Sequence, residues 1–229
     1  MEKIPRAAAH IFCAATSYQS QLPELLAGRP RPVLNVRAPY GIEDTGECLK
    51  AIAAAAGRQQ AFETVWRKKL AALKPAWEDM TRQARGLRLA FVVSETTLPR
   101  LWELRHGQGA PMMRMIEEMG FGVDILYYDP HNERPQINAD SRCAKLATFR
   151  TPAELTRALR EGNFKAVYSD IFFDWRISSA GKARFSSKDF EMGLDGALRS
   201  LRRLLAICRL PFYDRYAGHL AGLAGRNLA

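Results

Sequence analysis

Two short apolar runs frame the middle of the chain, Leu89-Ala90-Phe91-Val92-Val93 and Val123-Asp124-Ile125-Leu126-Tyr127-Tyr128. A strand buried on both faces reads as such a run, whereas a strand with one wet face alternates. Helical spacing lies between them and closes at Met119-Gly120, where glycine can take a left-handed cap before Phe121-Gly122. Strand, helix, strand predicts a βαβ unit with parallel strands whose C-terminal ends open on one crevice. A ligand is expected near Ser94-Glu95-Thr96 and Asp129-Pro130-His131.

The same grammar recurs on either side. Residues 10–15 read as a short buried strand with Cys13 near its end. A helix follows to about residue 27, capped at Thr16 or Ser17, and residues 32–36 form the next strand. Thr45 is expected to cap a helix over about 46–56. Residues 59–85 predict a long charged helix with an apolar stripe at Phe62, Val65, Trp66, Leu70, Leu73, Trp77 and Met80. Pro75 is expected to kink or divide it. A loop at 106–110 and a helix over 111–119 with Pro111 first come next. Residues 131–149 read as polar and irregular.

Thr151-Pro152-Ala153-Glu154 is a strong helix start, with threonine as cap, proline at the first helical position and glutamate at the third. That helix should end near Gly162, and residues 166–170 form a strand that 171–173 extend or leave. Residues 175–188 are basic and polar. Residues 192–209 predict a helix with Leu194, Leu198, Leu201 and Leu205 on one face, and Pro211 opens a last amphipathic segment. The fold class is α/β, with two Rossmann-like parallel-sheet halves joined by a long helix. Residues 1–86 make the first half with the helix, and 87–229 the second with the C-terminal helices.

Composition narrows the setting. At 229 residues the chain makes one large or two small domains, and no apolar run reaches the length of a membrane span. Residues 1–17 lack the pattern of a signal peptide, so a reducing cytoplasm is the default for the thiols. Cys13, Cys48, Cys143 and Cys208 are far apart and form no C-x-x-C pair. The net charge of +10 favours acidic partners, although a solvated arginine-rich surface explains it too. The basic residues accompany no nucleic-acid module. No glycine pattern for phosphate follows a strand, Gly107-Gln108-Gly109 included, so no nucleotide is expected.

Three places resemble the nitrogenase component 1 family, which includes nitrogenase large subunits, cofactor-assembly scaffolds and tetrapyrrole reductases. His10-Ile11-Phe12-Cys13 with its turn, helix and Pro32-Val33-Leu34-Asn35 is similar to the family's strand-Cys-helix-strand segment. Pro39-Tyr40-Gly41-Ile42-Glu43-Asp44-Thr45 with Cys48-Leu49-Lys50-Ala51-Ile52 resembles its P-x-G-x-x-x-T…L-x-x-I-A pattern. Met192-Gly193-Leu194-Asp195-Gly196-Ala197 resembles the start of its late helix. The resemblance implies an oxidoreductase subunit in an electron-transferring complex that uses an iron–sulfur or related metallocluster. Its partners would be a second component 1-type subunit and an ATP-dependent iron–sulfur reductase. A component 1 subunit has three α/β domains, and the likeness covers about two. The family's N-terminal cluster cysteines have no counterpart here, nor does the histidine that precedes its late glycine motif. The alternatives are a non-catalytic accessory or cofactor-carrier subunit and, from another class, a basic nucleic-acid-associated protein.

The candidate chemistry follows the strand ends. Cys13 is either a cluster ligand, since a thiolate suits iron–sulfur centres, or a small buried thiol. His131 follows a strand end and can serve as a proton donor. His10 reads as core or strand edge, and His106 and His219 as surface. Asp170, Asp174, Trp175 and Arg176 follow the last strand and face the same crevice. Asp170 and Asp174 are the catalytic candidates with His131, and Ser94 and Arg176 join Cys13 as cofactor-binding candidates.

Overall fold

A computed structural model describes residues 9–13, 33–98, 101, 112–131, 144–169, 174–210, 215–216 and 218–219, without the side chains of Cys13 and Ala144. The helix expected to end near residue 27, the loop at 106–110, Asp170 and most of the segment after Pro211 lie outside these residues.

The described chain is α/β. The elements are β1 (His10–Cys13), β2 (Val33–Val36), α1 (Glu43–Ala55), α2 (Gln59–Ala84) and β3 (Arg88–Val93). There follow α3 (Met112–Met119), β4 (Gly122–Tyr128), β5 (Ala144–Phe149), α4 (Pro152–Glu161) and β6 (Ala166–Tyr168). The last are α5 (Trp175–Ser179), β7 (Ala183–Phe185), a 3-10 turn (Ser187–Asp189) and α6 (Gly193–Cys208). The chain forms two compact units from interleaved segments, one of 1–78, 100–118 and 190–199, the other of 79–99, 119–189 and 200–229.

In the first unit β1 and β2 pair in parallel, with Cys13 opposite Val36. Helix α1 begins three residues ahead of its expected start, because the sequence-predicted cap works differently. Thr45 donates its hydroxyl back to the carbonyls of Pro39 and Gly41. The cap role falls to Glu118 on α3, whose carboxylate accepts from Ile42 N and Glu43 N at 3.0 Å. Gly41 has φ +74°, and a Cβ there would collide with Glu118 Oε2. Helix α2 is not divided by Pro75, which sits inside an unbroken helix of 26 residues. One missing N–H costs about 3 kcal/mol, and the lysine, alanine and leucine neighbours of Pro75 favour helix on both sides.

The second unit holds the sheet. Its order is β5-β4-β3-β6-β7, and every pair is parallel. The expected βαβ unit is present, with Arg88 opposite Gly122 and Val93 opposite Tyr127. Gly120 ends α3 at φ +85°, a conformation that disfavours any side chain. Strand β5 corrects the irregular reading of 131–149, and β7 and α5 add order to the stretch read only as polar. Both strands are sheet edges. Residues 145–148 of β5 are exposed, so no apolar run marks it.

Helix α4 starts as its sequence predicts. Thr151 Oγ1 accepts from Glu154 N at 3.2 Å, and Glu154 Oε2 accepts from Arg150 N at 2.7 Å. It buries Leu155 and Leu159 in a core with Ala90, Leu126, Phe149, Phe164, Val167 and Ile177. On the other sheet face Phe91, Tyr168 and Phe185 form a mutual aromatic cluster with centroids 5.4 to 5.6 Å apart. No helix of the described residues is long and apolar enough to cross a membrane.

Candidate ligand cavity at the sheet switch point

Strand β3 connects onward to β4 on one side, and the chain later returns to place β6 on its other side. In an open parallel sheet this reversal splays the flanking connections apart, so a crevice forms beyond the carboxyl ends of the two strands. A cavity of about 270 Å³ lies there, lined by Val92, Leu155, Leu159, Tyr168, Ser169, Asp174, Arg176 and Ile177.

Its polar wall is built from the end of β6 and the start of α5. Asp174 is 8 % exposed and caps α5, accepting from Arg176 N at 3.2 Å. The Arg176 side chain turns back onto the same carboxylate, with Nε on Oδ1 and Nη2 on Oδ2, both at 3.0 Å. Ser169 Oγ donates to Asp174 Oδ2 at 3.4 Å. Burial pushes the Asp174 carboxyl up, but the Arg176 hydrogen bonds and charge outweigh it and hold the carboxyl below its usual range. An aspartate fixed as an anion by a two-point ion pair is a poor proton shuttle. Its geometry suits holding the guanidinium in one orientation. Behind Ser169, Arg184 Nη1 donates to its carbonyl at 2.8 Å.

The other sequence candidates scatter. Ser94 follows β3, but its hydroxyl lies within 3.2 Å of those of Thr96 and Thr97 in a local turn and does not line the cavity. His131 is exposed on the turn after β4. Cys13 ends β1 in the first unit, with its side chain outside the described residues, as is all of Asp170. Sequence reasoning did not single out Ser169, Leu155 or Leu159. The residue after the last apolar position of β6 was the available signal for Ser169. The two leucines lie inside the helix predicted from Thr151 and drew no reading of their own.

A second polar cluster, in the first unit, was also missed. Asp44 is 2 % exposed and accepts from Arg114 Nη2 at 3.0 Å and Arg37 Nη1 at 3.4 Å. Nearby, the Glu118 carboxyl is raised by burial, against the backbone N–H groups of Glu43 and Ile42, with the charges of Glu43 and Asp44 raising it further. A buried acid satisfied by arginines and a carboxylate at a helix start both do structural work.

Among the described residues no three His, Cys, Asp or Glu side chains converge to hold a metal ion. Cys48 and Cys208 are buried. Burial pushes the Cys208 thiol up to about 12, against the lowering charges of Lys165 and Arg209, which disfavours the thiolate a cluster needs.

No family model and no curated protein matches this chain. Among solved structures, a nitrogenase Cp1 structure at pH 5 superposes with TM-score 0.61 at 12 % identity, covering 92 % of this chain and 48 % of the other. A nitrogenase Cp1 structure at pH 6.5 gives TM-score 0.54 at 14 % identity, covering 86 % and 45 %. This chain therefore spans about half the length of those it matches. The likeness is one of architecture: the chain has a nitrogenase-like α/β fold.

Proposed function

We propose that this chain is a subunit of a reductive complex of the nitrogenase component 1 kind, and that it contributes ligand binding within that complex. The nitrogenase-like fold carries this reading. The lack of a ligand trio among the described residues favours the binding role over cluster ligation by this chain alone. Its partners would be a second component 1-type subunit and an ATP-dependent iron–sulfur reductase. Arg176, posted by Asp174, is the binding group. His131, on the turn after β4, and Asp170 are the groups proposed for proton transfer, and Ser94 for cofactor contact. Cys13 is the thiol that would complete a cluster whose other ligands came from a partner.

Iron and acid-labile sulfide per chain, measured on protein purified without oxygen, test the division of labour. The isolated chain should carry neither. Co-expression with a component 1-type partner should yield a stable complex that contains both, with iron reduced by Cys13→Ala. Stoichiometric iron in the isolated chain would overturn the binding role. A partner that never associates with the chain would overturn membership in such a complex.

A further inference from the structure

The two edges of the five-stranded sheet differ. Strand β7 is 3 residues long and buries Ala183 and Phe185. Strand β5 is 6 residues long and leaves Lys145, Leu146, Ala147 and Thr148 exposed, Leu146 at 38 %. Phe149 O accepts from Asp129 N on the β4 side. Lys145, Ala147 and Phe149 therefore turn their backbone groups to β4, and Leu146 and Thr148 turn theirs outward. Those outward N–H and C=O groups have no partner among the described residues. The strand carries no proline and one charge, Lys145, so little guards the edge against another strand. Lys145, Ala147 and Phe149 share the α4 face with Asp124, Leu126 and Tyr128. Tyr128 is 41 % exposed and tilts against Phe149 with ring centroids 5.5 Å apart. On the same face a cavity of about 450 Å³ runs beside the edge, with Leu126, Ala147, Ala158 and Phe164 among its walls.

We infer that β5 is a homodimer interface, pairing antiparallel with β5 of a second copy about a two-fold axis at Ala147. The strand is its own complement in that register. Leu146 of each copy exchanges its backbone bonds with Thr148 of the other, and each Lys145 lies opposite the other copy's Phe149. Directly opposed residues share a face and have Cβ atoms about 4.5–5.5 Å apart. The Lys145 ammonium therefore reaches the Tyr128–Phe149 ring pair of the other copy, and both exposed features are covered at once. An axis at Leu146 instead sets Lys145 against Ala147 and leaves the rings bare. The axis is normal to the sheet, so the two cavities lie side by side on one face. A strand pair alone buries less than the standard interface of about 1,600 Å², which makes this a weak, reversible dimer. The inference stands apart from the reductive reading, since the partner is a second copy of this chain and no iron is involved.

Sedimentation velocity of the full chain under reducing conditions, from about 5 to about 500 μM, tests it. The wild type should pass from monomer to dimer over this range. Leu146→Pro removes an outward donor from each copy and leaves the bonds to β4 in place. It should weaken the dimer at least about tenfold. Ala147→Lys sets a charge against its own copy on the axis and should be monomeric throughout. Cysteine crosslinking reads the register. An opposed, non-hydrogen-bonded pair has Cα atoms about 4.5 Å apart, inside the span of about 4.4–6.8 Å that a disulfide bridges. Under mild oxidation Ala147→Cys should form a covalent dimer at least about tenfold faster than Lys145→Cys, whose two copies stand about 13 Å apart along the strands. The wild type controls for the native cysteines. A monomer at every concentration, a dimer that neither Leu146→Pro nor Ala147→Lys weakens, or crosslinking of Lys145→Cys as fast as that of Ala147→Cys would each overturn the assignment.

Discussion

Replacing Glu118 by alanine removes the acceptor for two backbone N–H groups at the start of α1, Ile42 N and Glu43 N. A lost helix cap costs about 0.5–2 kcal/mol, and a hydrogen bond to a charged group about 1.5–3 kcal/mol. Relief of the carboxylate's own burial offsets part of this, so the net loss for Glu118→Ala is about 2 kcal/mol. For a chain of this size that lowers Tm by about 4–8 °C, read by circular dichroism. Glu118→Gln keeps a carbonyl acceptor without a charge to desolvate and should stay within about 1 kcal/mol of the wild type. The pH dependence has a definite sign. The folded carboxyl is raised above its ordinary value, so the native state holds the proton more tightly than the unfolded chain. Stability then falls as pH rises from the ordinary carboxylate value through the raised one, and levels off above it. The gap between Glu118→Gln and wild type should widen in the glutamine variant's favour over that window. A coupled test uses Gly41. Gly41→Ala strains a φ of +74° in any background, but its Cβ meets Glu118 only when the glutamate is present. The alanine at 41 should therefore cost less in Glu118→Ala than in wild type. Equal stability of Glu118→Ala and wild type, or the same cost of Gly41→Ala in both backgrounds, would refute the cap.

Three further outcomes are expected. Pro75→Ala restores an N–H inside α2 and should raise stability by about 1–3 kcal/mol in urea denaturation, since the interior proline penalty outweighs its restraint of the unfolded chain. Asp174→Asn should flatten the acid limb of the stability curve. The folded Asp174 carboxyl is lowered, so its contribution is present above the ordinary carboxylate value and lost as pH falls through the folded one. Cys208, with its thiol pushed up to about 12 and its side chain buried, should resist alkylation at pH 8 in the native protein and react on unfolding, as followed by mass spectrometry.

What could be read from the sequence depended on how local the cause was. Strands β3 and β4 were legible because both faces are buried and each makes a continuous apolar run. The start of α4 was legible because cap, proline and glutamate lie within four residues. Strand β5 was not, since Lys145, Leu146, Ala147 and Thr148 are all exposed at a sheet edge and leave neither a run nor a clean alternation. The start of α1 was misread because its acceptor comes from Glu118, more than seventy residues downstream. Thr45 offered a plausible local cap in its place. At the cavity, Asp174 and Arg176 were singled out by position after a strand. Their pairing, which turns a candidate acid into a fixed anion, is a matter of rotamers that no spacing encodes. Ser94 had the right position, but its neighbours Thr96 and Thr97 engage its hydroxyl locally.

The order of the sheet also sets a schedule for folding. Strand β3 meets β4 across a short crossover, but its other neighbour, β6, arrives more than seventy residues after β3 begins. Contacts that close so long a stretch form late, because the entropy of the intervening chain is lost before pairing can compensate. During synthesis β3, β4 and β5 can assemble while the outer edge of β3 still lacks β6. That edge, next to Leu89 and Phe91, is then an open row of backbone donors and acceptors beside apolar side chains. The strand at the centre of the finished sheet is thus the one most exposed to misassociation while the chain emerges. A fragment ending at Phe149 would keep it in that state.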